Sequence, residues 1–575
     1  MVAKQYIKWT FLVKAFSLLL FTSVCAAESV DHYFNNNDSM IYKNIDTSSS
    51  NLNDINPVIT VTEFNLSRLK DMDEYSIHVR DLEKIIRKDQ KENKNRYTIT
   101  KLEVLAEELS LYYRKKGLIL TKVYFPPQNL SKKSLYVDLV MGEIEQVSAI
   151  KNEYYSNERL IRPFKNLIDK PAYIPSLESS LIQLNNYPGL SIDTRFKEGS
   201  QIGKTKIDIY VKDEQVSDFN FSFDNYGSEY TGTMRGTFTA DLFNIADQAD
   251  KLSFNALATL NPTNSLFLGT SYRFKIAPYF ANSFLNGLFK YGLNMTFGYQ
   301  ESQYTVGGEF DGLELEGKAN TSFIQLDKDL ILRNSHKLNT GIKLSKKLAQ
   351  TTQRGDISSE DEISIFTWST LFRWNDHLTS PAANLIKFDY HQGLPNFAGA
   401  MKNHDESISR KGVDDTVAAM DYRRYNLLIS RNQGVGPYQL LTKVNIQYTK
   451  DLLLPSEQTN LGGASSVRGY LNSDFSGDRS RVVSVEIRGK SSARKFSLPI
   501  SDLKLAAFID HGVGTRLKPF SNELASAEMT SIGVYAQFLK EGTFSSKIEL
   551  AMPLVDVGES RKSKFEILFN FDRGF

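Results

Sequence analysis

Alternation of apolar and polar positions dominates the chain from about residue 217 onward. Clear runs cover residues 252–260, 291–299, 483–487 and 548–554. A period of two predicts β-strands that each have one apolar face. Soluble antiparallel sheets alternate in the same way, with their apolar face in the core. Here the intervening residues are often small or charged, which suits the wet interior of a membrane barrel.

The last segment of the chain favours the barrel over a soluble sheet. Its large apolar side chains fall on one face, at Phe565, Ile567, Phe569, Phe571 and Phe575. Only Arg573 interrupts that face. An amphipathic final strand that ends in phenylalanine is similar to the C-terminal signal of outer-membrane barrels, and a soluble protein has no special reason to end so.

The length of this region sets the number of strands. Residues 216–575 accommodate roughly 16 strands of about 9–11 residues if loops of similar length join them, and about 14 or 18 strands also fit. Polar stretches at 351–362 and 399–418 predict long loops. A barrel of this kind carries its long loops at one end and short turns at the other.

The region before residue 217 has a different pattern. Thr100 is placed to cap a helix, and Glu103 three residues later completes a capping box. Gly117 supplies the stop. Alternating residues at 119–125 and 135–141 then predict two strands. The apolar stripe of the predicted helix consists of Leu102, Leu105, Leu109 and Tyr112.

The same order of elements occurs a second time. A helical stripe at Leu177, Leu181 and Leu184 ends at residues 185–189, and strands follow near 192–196 and 207–211. Two successive units of helix, strand and strand favour two small α+β domains over a single one.

The N-terminus resembles a secretory signal in its order of charged, apolar and small residues. Three lysines precede the apolar run 15–21, and small residues follow at 25–27. We expect a signal peptide over 1–27 and an Asn-, Asp- and Ser-rich leader over 28–57. A lipoprotein acylated at Cys25 is the less favoured alternative, since residues 22–24 match its signal poorly. Cys25 is the only cysteine, so the mature chain is expected to contain no disulfide.

Composition leaves the class of protein largely open, but it bears on which partners to expect. The net charge is +2 over 575 residues, which gives no electrostatic reason to expect nucleic acid as a partner. Aromatic residues make up 12% and charged residues 24% of the chain. That mixture suits a surface with apolar and wet zones, although a soluble β protein would also fit. Residues with metal-ligand spacing or a nucleophile, base and orienting-group set are not discernible, so we expect no metal, no cofactor and no enzyme activity.

Five motifs together resemble one family, the transporter partner of two-partner secretion systems within the Omp85 superfamily. Each motif is weak alone, whereas their order and spacing along nearly the whole mature chain are specific. The motifs are Tyr-Tyr-Arg-Lys-Lys-Gly-Leu-Ile-Leu-Thr-Lys-Val-Tyr-Phe-Pro-Pro-Gln at 112–128, Leu-Asn-Asn-Tyr-Pro-Gly at 184–189, Asp-Asn-Tyr-Gly-Ser at 224–228 with Thr231-Gly232, the stretch 454–470 that ends in Val-Arg-Gly-Tyr, and Phe-Ile-Asp-His-Gly at 508–512.

The resemblance implies a mainly β protein with a C-terminal transmembrane antiparallel β-barrel at 216–575. Two α+β POTRA domains, at 58–142 and 143–215, would precede it in the periplasm. A loop around 455–475 would fold into the lumen. Many members also have an N-terminal plug helix, but residues 28–57 show no clear amphipathic pattern, so this segment is a leader or a possible plug.

The resemblance also implies a function and partners. The chain would recognise a secreted exoprotein (an adhesin, haemolysin or contact-dependent toxin) by its N-terminal secretion domain and translocate it unfolded through the barrel. Other implied partners are outer-membrane lipid, periplasmic chaperones and the barrel-assembly machinery. The alternatives are a barrel-assembly factor of the same superfamily, a passive porin and a secreted enzyme with a β domain.

The candidate site combines strand alternation with the resemblance. Alternation places Leu505, Ala507 and Ile509 towards lipid, and therefore Asp510 in the lumen. From the residues alone, Arg468 would be a solvent-exposed arginine in a hairpin loop. The resemblance implies that it pairs with Asp510. The expected site residues are Val467, Arg468, Gly469, Tyr470, Phe508, Asp510 and Gly512.

Overall fold

The computed structural model describes residues 58–129, 133–260, 264–276, 292–492, 502–540, 544–557 and 564–575. The expected signal peptide and leader lie outside these residues. The described residues fall into two compact units that divide between Gln215 and Val216. Among them, no helix is both long enough and apolar enough to cross a bilayer.

The first unit begins with an α+β domain that packs two helices against short strands. Its apolar core contains Leu82, Leu105, Leu109, Tyr113 and Val123. The elements are β1 (Ile59–Thr60), β2 (Glu63–Asn65), α1 (Val79–Asn93), β3 (Arg96–Tyr97), α2 (Ile99–Lys115), β4 (Lys122–Tyr124), β5 (Ser134–Tyr136) and β6 (Asp138–Val140). The predicted helix and strands are present, while α1 was not predicted because its stripe is narrow: only Leu82 and Ile86 are buried in a highly charged helix.

Two local predictions for this domain are wrong. Thr98 caps α2, since its hydroxyl accepts a hydrogen bond from the Lys101 amide at 3.3 Å, and Thr100 lies inside the helix. Buried Tyr97 in β3 fixes the chain just before the helix, so the turn starts two residues earlier than predicted. The predicted strand at 135–141 is divided at Val137: β5 runs parallel to β2, and β6 runs antiparallel to β4.

A second α+β domain follows directly. In its sheet, β9 (Lys204–Glu214) lies between β7 (Glu143–Ile150), to which it is parallel, and β8 (Leu190–Glu198), to which it is antiparallel. Leu177 and Leu184 of its longer helix are buried, as are Ile207 and Ile209 of β9. The predicted helix and both strands are present. The elements are β7 (Glu143–Ile150), α3 (Asn157–Ile161), a 3-10 helix (Arg162–Leu167), α4 (Ile174–Asn185), β8 (Leu190–Glu198) and β9 (Lys204–Glu214).

In the second unit, sixteen strands within the described residues close into an antiparallel barrel, which confirms the predicted fold. The last strand pairs with the first, for example through Ser222 and Asp572. The barrel strands are β10 (Ser217–Asp224), β11 (Met234–Phe243), β12 (Lys251–Leu260), β13 (Ser265–Ile276), β14 (Leu293–Thr305), β15 (Leu315–Leu332), β16 (His336–Gln353), β17 (Asp356–Asp376), β18 (Ala382–Gly393), β19 (Arg423–Val435), β20 (Tyr438–Thr449), β23 (Arg479–Ser492), β24 (Asp502–Thr515), β25 (Ser526–Lys540), β26 (Phe544–Pro553) and β27 (Glu566–Gly574).

The outer face of the barrel is apolar, as the alternation predicts. Leu505 and Ile509 on β24 are exposed, whereas their neighbours Ala506, Phe508 and Asp510 are buried on the inner face. Because successive residues of a strand point to opposite faces, the apolar set faces outward and Asp510 faces the lumen. Other exposed outer-face residues are Phe254, Leu268, Phe297, Ile342, Trp368 and Ile548.

Strand connections differ between the two barrel ends. We call the end where β10 begins the near end, and the opposite end the far end. The loop expected at 351–362 is absent: β16 and β17 run into a two-residue turn at Arg354 and Gly355, whose φ angles are +52° and +83°. The polar composition misled the prediction, because a strand that is wet on both faces needs no apolar alternation. The other expected long loop, 399–418, lies within the far-end connection 394–422.

Candidate functional site: a hairpin inside the barrel

A short hairpin occupies part of the lumen. It is inserted between β20 and β23, and its strands β21 (Thr459–Leu461) and β22 (Phe475–Gly477) pair only with each other. We call residues 459–477 the lumenal hairpin. Gly462 and Gly463, with φ angles of +96° and +84°, start its tip in the left-handed region that glycine tolerates. The Gly463 amide then donates to the carbonyl oxygen of Tyr470 at 2.9 Å.

The hairpin tip is joined to the barrel wall by a bidentate ion pair. Arg468 Nε lies 2.7 Å from Asp510 Oδ2, and Nη2 lies 2.7 Å from Oδ1. The backbone amide of Arg468 also donates to Asp510 Oδ2 at 3.2 Å. The Arg468 side chain is 7% exposed and that of Asp510 is fully buried. Paired donors on a guanidinium fix the orientation of the hairpin as well as its distance from β24.

Two further carboxylates surround the same guanidinium. Glu486 on β23 lies 2.9 Å from Arg468 Nη1, and Glu549 on β26 lies 3.3 Å from it. Each has a second cation, since Arg488 contacts Glu486 and Lys547 contacts Glu549, both at 2.8 Å. In this largely buried cluster, the three carboxylates are therefore balanced by at least three cations among the described residues. The balance matters because an unpaired charge in such a place is strongly destabilising.

An aromatic ring supports the guanidinium from one side. Arg468 Cζ lies 3.5 Å from the centre of the Phe508 ring. That ring lies over Gly533 on β25: a Cβ atom on residue 533 would lie 2.3 Å from Phe508 Cζ and 2.4 Å from the carbonyl oxygen of Leu550. Only glycine fits at this position while Phe508 keeps its place under Arg468.

Replacing Gly533 with valine is therefore expected to displace Phe508 and tilt Arg468 away from Asp510. Overpacking of this kind costs about 1–3 kcal/mol. Secretion of the client and the conductance of the purified protein in planar bilayers measure the effect, and we expect both to change. Gly236→Val is the matched control, because the nearest atom to a Cβ on residue 236 is 3.8 Å away. Equal behaviour of the two variants would contradict the role of the Phe508 ring.

The remaining site residues hold the hairpin against the barrel wall. The Tyr470 hydroxyl accepts a hydrogen bond from the Thr530 amide and lies 3.0 Å from the carbonyl oxygens of Thr530 and Val555. Val467 covers Gly512: a Cβ on residue 512 would lie 2.6 Å from Val467 Cγ2. Gly469 has a φ angle of +86°, and a Cβ there would lie 3.2 Å from that of Ala551. Because Gly469 and Gly512 have no side chain, the hairpin can approach the barrel wall closely.

The structure brings all seven expected site residues together and adds others that sequence reasoning missed. Glu486 and Glu549 carried a signal, since both alternate with apolar neighbours and so had to face the lumen with Asp510. Gly533 and Thr530 carried none, because nothing in the sequence shows which inner-face positions lie beneath the hairpin. Among the described residues, no cluster of three or more His, Cys, Asp or Glu could hold a metal ion.

Comparison with known proteins agrees with this architecture. The "Heme/hemopexin transporter protein HuxB" of Haemophilus influenzae (strain 86-028NP) is 23% identical over 467 residues, which cover 80% of this chain and 78% of that protein. The "Outer membrane transporter CdiB" of Dickeya dadantii (strain 3937) is 22% identical over 451 residues, 76% of this chain and 74% of that protein.

A solved structure shows the same fold. CdiB from Escherichia coli superposes with a TM-score of 0.71 and 18% identity, and the match covers 93% of each chain. The family model "POTRA domain, ShlB-type" matches residues 64–142. The family model "Haemolysin secretion/activation protein ShlB/FhaC/HecB" matches residues 203–535, which is more than half of the sequence. The chain therefore belongs to the haemolysin secretion/activation protein family ShlB/FhaC/HecB.

Proposed function

We propose that this chain is an outer-membrane transporter that recognises a partner exoprotein in the periplasm and passes it unfolded through the barrel to the cell surface. One observation carries the proposal. The lumen is partly obstructed by a hairpin that shares no ladder with the barrel strands and is held to the wall by side chains. Side-chain contacts can break and re-form without disturbing the barrel, so the obstruction is removable.

The order of the elements supports an orientation for the transporter. We infer that the near end faces the periplasm, because the two α+β domains directly precede β10 in the chain, and that the opposite, far end lies at the cell surface. Lipid contacts the apolar outer face, where residues such as Leu268 and Ile509 are exposed. Periplasmic chaperones and the barrel-assembly machinery would deliver and insert the barrel itself. Transport requires no bond chemistry, since folding of the client outside the cell supplies direction.

The first α+β domain offers a place for the client. A groove of about 650 Å³ lies between α2 and the segment from β4 to Gln128. We call it the first-domain groove. Leu102, Ala106 and Val123 form its apolar part, and Pro126 and Pro127 form a stiff wall.

The groove itself, and not the sheet edge, suits the client best. The Ser110 hydroxyl already accepts the Val123 amide of β4 at 2.8 Å. The Gln128 side chain already pairs with the backbone of Tyr136 through two hydrogen bonds of 2.7 and 3.0 Å. An added strand would find those backbone groups occupied, whereas an apolar side chain of the client could enter the groove.

Filling the groove is expected to block recognition. Ala106→Trp places a large ring over its floor, and we expect the client in the medium to fall at least about tenfold, as for loss of a binding anchor worth about 1.4 kcal/mol or more. Val104→Trp is the matched control, because Val104 is an exposed residue of α2 that does not line the groove. Immunoblots must show both variants at wild-type level in the outer membrane. Normal secretion by Ala106→Trp would exclude the groove.

Deletion of the gene tests the function as a whole. We expect the loss of one secreted protein, encoded beside this chain, while outer-membrane proteins keep their levels. A general loss of outer-membrane proteins would instead indicate the barrel-assembly role, which family membership does not favour.

A further inference from the structure

The far-end connection 394–422, which we call the far-end loop, packs partly into the barrel mouth. Ile408, Ala418 and Met420 are each at most 3% exposed. They form an apolar core with two residues of β17, Ile363 and Ile365. On β17 the even-numbered Trp368 is exposed on the outside, so these odd-numbered residues face inward. The other members of this core are Leu452 and Leu454, which lead into the lumenal hairpin.

A buried ion pair fixes this loop. Arg410 Nη1 lies 2.5 Å from Asp478 Oδ1, and Nη2 lies 2.9 Å from Oδ2. Arg410 also donates to the carbonyl oxygen of Leu453 at 2.6 Å. Asp478 is fully buried and accepts two backbone amides as well, from Leu453 at 3.0 Å and Leu517 at 2.7 Å. Both carboxylate oxygens of Asp478 thus accept hydrogen bonds from Arg410 and from backbone amides while Arg410 stays in place.

Asp478 has a special place in the chain. It follows the last residue of the lumenal hairpin, Gly477, and precedes the first residue of β23. We call the residues directly before and after the lumenal hairpin its roots. The root before β21 is held by similar polar contacts. Glu457, just before β21, is buried and accepts the Tyr422 hydroxyl at 3.0 Å. Arg424 and Lys347 contact the same carboxylate at 3.0 and 3.2 Å. Because Tyr422 is the last residue of the far-end loop, that loop is bonded to both hairpin roots.

We propose that the far-end loop is a second gate, at the surface mouth of the lumen, and that the Arg410–Asp478 pair is its latch. The inference rests on the proposed transport function. An emerging client must displace the far-end loop, and the shared carboxylates make the loop and the hairpin roots leave their places together. Arg410 and Asp478 are positioning residues: they hold the gate and do not bind the client.

Removal of the cation tests the latch without any client. Arg410→Met leaves Asp478 without its cation, and a buried charge without its partner destabilises the closed arrangement. In planar bilayers we expect the purified full-length variant to open at least about tenfold more often than wild type. Lys411→Met, one residue along the same loop and exposed, is the control that should behave as wild type. Equal open probability of Arg410→Met and wild type would overturn the latch.

A reversible tether tests the gate during transport. A Cβ on residue 412 would lie 2.9 Å from that of Lys518, so Gly412→Cys with Lys518→Cys closes a disulfide after a shift of less than about 1 Å. Cys25, in the expected signal, is the only native cysteine. We expect oxidised cells to lose client secretion and reductant to restore it, whereas each single variant should secrete the same amount of client with and without oxidant. Full cross-linking with normal secretion would overturn the gate alone, whereas absence of a secreted client in wild type would overturn the proposed function.

Discussion

Replacing Arg468 with methionine is expected to abolish secretion of the client and to leave the channel open without it. Methionine keeps much of the side-chain volume but removes all five donors. Asp510, which has no second cation within the described contacts, would then be a buried carboxylate without its partner. Breaking one side of a buried pair costs about 3–5 kcal/mol. This loss shifts the equilibrium between the wall-bound and the released hairpin by about a hundredfold or more.

Charge reversal should act more strongly still. Arg468→Asp would place a fourth carboxylate beside Asp510, Glu486 and Glu549, so the hairpin tip could not return to the wall. Arg481→Met is the matched control, because Arg481 is an exposed residue of the neighbouring strand β23. Secreted client and single-channel conductance are the two measurements. Wild-type values of both for Arg468→Asp would show that the pair has no functional role.

The sequence predicted the fold better than the site. Alternation at positions such as 252–260 and 548–554 identified barrel strands, because one face meets lipid and the other meets water. The same rule placed Asp510 in the lumen before any partner was known. Alternation could not identify Arg468 as the partner of Asp510, because a loop has no periodic pattern of side-chain directions. Only the family resemblance connected these two residues.

Each of the failed predictions has a physical cause. Residues 351–362 read as a loop because strands that rise above the membrane are wet on both faces. The far-end loop read as an ordinary polar loop, since Ile408, Ala418 and Met420 are too irregularly spaced to reveal a core. Gly533 is needed only because the Phe508 ring lies over it. Contacts between segments far apart in sequence decide the last two cases, and local patterns do not contain them.

Tethering the lumenal hairpin to the barrel wall tests whether the client must displace this hairpin to pass through the lumen. Val467 Cγ2 would lie 2.6 Å from a Cβ on residue 512, so Val467→Cys with Gly512→Cys can form a disulfide between the hairpin and β24. The matched control is Ile509→Cys with Ile532→Cys, which joins paired outer-face positions of β24 and β25 and leaves the hairpin free.

We expect that the oxidised hairpin tether stops secretion of the client, that reductant restores it, and that the outer-face control secretes normally in both states. Cross-linking in the outer membrane is quantified on non-reducing gels from the same cells. Normal secretion by a fully cross-linked Val467–Gly512 pair would contradict the claim that the client passes through the lumen by displacing this hairpin.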